Sequence, residues 1–123
     1  MEYDPNRSPV REQWLKLDET ERIGLVMEYH ARSDADLPNP VLHATFHAVV
    51  ENQLAESISE VRTTFDRLMS EGPDRHEAIH AIASVLVSHV HGILGSDSAA
   101  SDLNKAYFQE LQELTADNWR NES

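Results

Sequence analysis

Two breaks leave this chain only segments of helical length. Leu37-Pro38-Asn39-Pro40 interrupts its first third, and Gly72-Pro73 closes a second segment. Proline lacks the N–H that a helix interior or sheet ladder needs, and glycine takes up the backbone angles that end a helix. Between the breaks apolar residues recur every three or four positions. No stretch alternates with the period of two that a half-buried strand requires. This pattern predicts an all-α fold, a single-domain bundle of about five helices. The domain is expected to span residues 1–123, with a helical core over about 18–115 and both tails loosely attached.

The segments have their own punctuation. Ser8-Pro9 suits the start of a short helix through Trp14, Leu15 and Leu17. Asp18 with Glu21 fits a capping box, opening a helix that carries Ile23, Val26, Met27 and His30 on one face and fades near 33–36. Asn39 suits an N-cap and Pro40 the first helical position, after which Leu42, Phe46, Val49, Val50 and Gln53 share a stripe. Ser57 with Glu60 reads as a second capping box, for a helix burying Ile58, Val61, Phe65, Leu68 and Met69. Asp74 with Glu77 opens the next, which presents Ile79, Ile82, Leu86, Val90 and Ile93 and stops at Gly95. A polar loop over 95–101 leads to a last helix from about Asp102 with Leu103, Tyr107, Leu111 and Leu114.

Charge and composition exclude several functions. The net charge is −12, from 22 acidic and 10 basic residues, so phosphate backbones and anionic membrane surfaces are repelled. No apolar run has the length of a membrane span, and Met1-Glu2-Tyr3-Asp4-Pro5 lacks the pattern of a secretory signal. The chain has no cysteine, which rules out a disulfide framework, a thiolate metal site and a cysteine nucleophile. A cytoplasmic protein with neither nucleic acid nor membrane as partner is expected.

Chemistry concentrates in the histidines. His43 and His47 stand four apart, as do His76 and His80, and Glu51 follows His47 by one more turn. Residues at that spacing stack on one helix face, which is how helices present nitrogen ligands to a metal. His43 and His47 fall at the edge of the stripe between Leu42 and Phe46, with Glu51 further round, and His76 and His80 sit similarly against a stripe centred on Leu86. If the three central helices run up, down and up, the first and third are parallel and both pairs reach one end of the bundle. His43, His47, His76, His80 and Glu51 are then the candidate metal ligands, with His30 a further candidate from the apolar face of its helix. Zinc is the default ion for such donors, with iron or nickel as alternatives. The plainer reading is boundary histidines with ordinary hydrogen bonds.

His76-Glu77-x-x-His80 also matches the helical motif of zinc peptidases, with Glu77 as general base. Asp74 and Arg75 stand where those helices are apolar, no strand flanks the site, and Glu77 has a capping role, so the peptidase reading is set aside. Glu77 stays only as a weak general-base candidate, and no activity is assigned. His89 is expected to face solvent, and His91 lies three turns from His80, too far to share an ion. Trp119 is placed either over the bundle or against a partner.

Asn39-Pro40-x-Leu42-His43-x-x-x-His47-x-x-x-Glu51-x-Gln53, followed by Gly72-x-Asp74-x-His76-Glu77-Ala78-x-His80-Ala81, resembles an uncharacterised bacterial family, domain of unknown function 1841. The resemblance covers residues 39–94, and Tyr3-Asp4-Pro5 and Trp14-Leu15-x-Leu17-Asp18-Glu19 extend it loosely. It implies an all-α fold with the same histidine set and implies no activity. Two functions follow from these readings: a small acidic helical protein binding a divalent transition metal, or a non-catalytic interaction module or homodimer with structural histidines.

Overall fold

A computed structural model describes residues 2–32, 40–94 and 100–122, and their side chains except at 32, 90–94, 100–104 and 120–122. The chain is all-α. Among the described residues the helices are α1 (Arg11–Lys16), α2 (Glu19–Arg32), α3 (Pro40–Ala55), α4 (Ser59–Ser70), α5 (Arg75–Leu94), α6 (Ala100–Glu113) and α7 (Ala116–Glu122). The short α1 and α7 bring the number to seven, and none of the seven is long and apolar enough to cross a membrane.

Local chemistry sets most of the boundaries. The capping box at α2 forms in both directions: the Glu21 N–H donates to Asp18 Oδ1 at 2.8 Å and the Asp18 N–H to Glu21 Oε1 at 3.3 Å. Asp74 caps α5 through the Glu77 N–H at 2.8 Å. Pro40 is the first residue of α3. Gly72 follows α4 with φ 124°, an angle that strains any residue with a Cβ.

Two expected caps do not form. Ser57 itself sits at φ 60°, and α4 opens at Ile58 without a side-chain cap. α1 opens at Val10, and the Ser8 hydroxyl donates to the Pro9 carbonyl instead. Asn39, Gly95 and most of the 95–101 loop lie outside the described residues, as do the side chains of Val90, His91, Ile93 and Leu103. The helix expected from about Asp102 is α6, which begins slightly earlier at Ala100.

α3 is the central element. It packs on α1, α2, α4 and α5, while α6 closes against α4 and α5. The core is in two parts. The larger joins Val50 and Leu54 of α3 to Val61, Phe65 and Leu68 of α4, Ile79 and Ile82 of α5, and Tyr107 and Leu111 of α6. Leu68, Ile79, Ile82 and Leu111 are fully buried, and each such side chain contributes about 1.5–3 kcal/mol. The smaller joins Tyr3, Trp14 and Val26 to Ala44 and Ala48, whose short side chains let α2 approach α3. Trp119 packs against the larger core.

Polar ties complete the frame. Arg22 donates to the carbonyls of Trp14 and Leu15 and to Asn52 Oδ1, which also accepts from the Trp14 indole. Arg67 of α4 reaches the Leu111 and Leu114 carbonyls, a cation at the C-terminal end of α6 where the helix dipole favours it.

Several side chains face elsewhere than the apolar pattern predicts. Leu42 and Met69 are exposed, at 45% and 41%. The buried side of α3 runs instead through Ala44, His47, Ala48 and Glu51. A stripe chosen by hydrophobicity misses it because its two polar members are buried through their surroundings. His89 does not point freely to solvent: its Nε2 lies 2.5 Å from Glu110 Oε2 on α6. The N-terminal residues, expected as a loose tail, have Tyr3 at 2% exposure and Pro5 fully buried.

Candidate metal centre

Five imidazoles from three helices converge between the two cores. His30 comes from the last turn of α2, His43 and His47 from α3, and His76 and His80 from the start of α5. His47 is central, with ring centroids 4.4 Å from His80, 4.6 Å from His43, 4.8 Å from His30 and 5.2 Å from His76. His43 Nε2 and His80 Nε2 are 3.1 Å apart. One nitrogen from each of His30, His47, His76 and His80 lies within 4.8 Å of the others, a group that could hold a metal ion. The Tyr29 ring meets His30 and His76 edge-on, walling that side.

α3 and α5 do not meet as parallel neighbours. Ascending α3 from His43 to His47 to Glu51 descends α5 from His80 to His76 to Arg75. The histidine pairs still converge, because each occupies the part of its helix that faces the other.

The hydrogen bonding around the rings is uneven. His30 Nδ1 is 2.8 Å from the Val26 carbonyl, which places the proton on Nδ1 and the lone pair on Nε2. His47 is 1% exposed, and neither of its nitrogens has a hydrogen-bond partner; His76 Nε2 is likewise buried and unpartnered. Leaving such a group unsatisfied costs about 1–3 kcal/mol. Burial, then the charge of neighbouring imidazoles, lowers the His43 ring to about 4 and the His80 ring to about 3. His47 is lowered for the same reasons, and burial also lowers His76. These four rings, His43, His47, His76 and His80, are therefore held neutral, the state in which imidazole binds a metal.

The shifts carry a pH prediction. These rings bind protons more weakly folded than unfolded, so their contribution is complete above the ordinary value of 6.5 and is lost as pH falls toward 4 and then 3. In chelator-treated protein, stability to urea should be level above about pH 7. Below pH 6 it should fall by up to about 1.4 kcal/mol per pH unit for each proton taken up. His43→Gln with His80→Gln should flatten this slope. An unchanged urea midpoint from pH 7 to 5 would contradict the assignment.

Glu51 stands apart from the imidazoles. It is 2% exposed, and Arg75 holds both its carboxylate oxygens at 2.7 Å. The Tyr3 hydroxyl donates to Glu51 Oε2 at 2.5 Å. Burial alone would lower the Arg75 guanidinium, but the hydrogen bonds and charge of Glu51 outweigh it and raise the group. Burial, with Glu51 alongside, raises the Tyr3 phenol. Arg75 also donates to the Pro5 carbonyl, and Asn6 Oδ1 accepts from the His76 N–H at 3.2 Å. Glu77 is exposed on the first turn of α5. Sequence reasoning passed over Arg75 and Tyr3; the available signal was a cation at the first position of a helix otherwise facing a core.

Comparisons of the chain with family models, with curated proteins and with solved structures find no match.

Proposed function

We propose that this protein binds one divalent transition-metal ion through His30, His47, His76 and His80. The carrying observation is His47, whose two nitrogens are buried without partners among four other imidazoles. Two nitrogens bound at 2.0–2.1 Å to a tetrahedral zinc lie about 3.4 Å apart. The four ligand atoms span at most 4.8 Å, so modest side-chain rotations bring them onto one ion. His43 stands beside His80 at 3.1 Å and supplies a fifth nitrogen. With no thiolate, zinc is the favoured ion and iron or nickel the alternatives. Glu51, already committed to Arg75 and Tyr3, supports the helices from outside the ligand set.

Among the described residues the exposed large apolar side chains are Val10, Val41, Leu42 and Met69, spread over three segments. Converging rings and scattered apolar residues favour the metal reading over an interaction module or homodimer.

Elemental analysis of untagged protein after gel filtration tests this reading. The expected content is about one ion per chain. It should fall to near zero in a His47→Ala, His80→Ala variant that keeps its helical circular dichroism. Negligible metal, persisting after zinc, nickel and iron are offered, overturns the proposal.

A further inference from the structure

Beyond Glu51 lies a second convergence, of arginines. Arg11, Arg62 and Arg75 line one cavity of about 200 Å³. Three of the ten basic residues of a chain with net charge −12 thus share one small space. Glu51 is the carboxylate in the wall, and Arg75 and Tyr3 occupy it. The cavity therefore carries three cations against one anion.

Arg75 is a built-in part of this wall rather than a surface side chain. Its side chain is 9% exposed, and three of its five N–H donors go to Pro5 and Glu51. Two donors remain. The Arg62 and Arg75 guanidinium carbons both lie over the Phe65 ring, at 5.6 and 5.5 Å from its centroid. The Phe65 ring thus has both guanidinium groups against it, and an anion in the cavity that both line offsets their like charge. Among the described residues Arg62 has one ion pair, an exposed 3.5 Å contact with Asp66. The N-terminus of α4 is adjacent and has no side-chain cap, so its dipole adds to the same positive field.

The apolar part of the lining is Pro9, Leu54 and Ala55, with the fully buried Trp14. A guanidinium fork suits a carboxylate bidentately, and an apolar wall suits a hydrocarbon body. We propose that this cavity binds a small carboxylate with a short aliphatic body. The proposal is independent of the metal reading.

Calorimetric titration of the full chain, with its metal as isolated, tests it with butyrate, inorganic phosphate and chloride at matched ionic strength. The expected result is saturable binding of one butyrate per chain, with weaker phosphate binding. Arg11→Gln with Arg62→Gln should weaken butyrate by about tenfold or more, about 1.4 kcal/mol, at unchanged metal content and circular dichroism. Arg75 is left intact because the fold depends on it. A chloride response equal to that of butyrate, or full butyrate binding in the variant, overturns the site. Phosphate binding more tightly than butyrate overturns the ligand class.

Discussion

Glu51→Gln should destabilise this protein by about 3–5 kcal/mol while leaving its metal content near one ion per chain. The substitution keeps the shape of the side chain, removes its charge and turns one acceptor oxygen into an NH2 donor. Arg75 is then a buried cation without a counterion, since its remaining acceptors, the new amide oxygen and the Pro5 carbonyl, are both neutral. The Tyr3 hydroxyl also loses a charged acceptor. For a domain whose whole stability is about 5–15 kcal/mol, this is a large share. Replacing both partners, Glu51→Leu with Arg75→Met, should recover much of the loss, because the cost lies in the unpaired charge rather than in the absent bond. Denaturant unfolding measures both variants. A loss below about 1 kcal/mol for Glu51→Gln would show the pair to be solvent-screened. Loss of the metal with full stability would instead make Glu51 a ligand.

Removing the metal is expected to have the second large effect. The histidines stand between the smaller core of α1, α2 and the start of α3, and the larger core of α3 to α6. α2 packs chiefly on α3, and it reaches the start of α5 through the rings of Tyr29 and His30. An ion held by His30, His47, His76 and His80 therefore ties α2 to α5 directly. At an ion concentration a thousand times the Kd, binding stabilises the folded chain by about 4 kcal/mol. For a domain of this length that is a fall of roughly 10 °C or more in Tm after chelation. Hydrogen exchange should rise first in α2, and adding zinc should reverse both changes. A Tm that does not move on chelation of a protein shown to contain metal would mean that the two cores hold together without it.

Much of this arrangement is legible in the sequence, for identifiable reasons. Asp18, Pro40, Asp74 and Gly72 mark their boundaries because capping and φ restriction act within a few residues. The spacing of His43 with His47 and of His76 with His80 is local too, and it places each pair on one face. What the sequence hides is how the faces meet. Hydropathy puts the core stripe of α3 on Leu42, whereas the buried face contains His47 and Glu51. Those side chains are buried because Arg75, Tyr3, His76 and His80 come from positions 24 to 48 residues away, beyond any periodicity. Ser57 fails as a cap for a related reason: its left-handed backbone serves the sharp turn between α3 and α4, which moves the cap to Ile58.

The N-terminal strap also bears on the order in which the molecule assembles. Tyr3 meets a partner 48 residues away, and Pro5 and Asn6 meet partners 70 residues away. Contacts of such separation require large loops to close, and chain entropy delays them. The local helices and the α4–α5 hairpin can form well before the first residues find their place. On a ribosome those residues emerge well before α5 and must wait until it has been made. The strap then closes over the Glu51–Arg75 pair as a late step, so anything fused ahead of Tyr3 acts on the completion of folding rather than on its start.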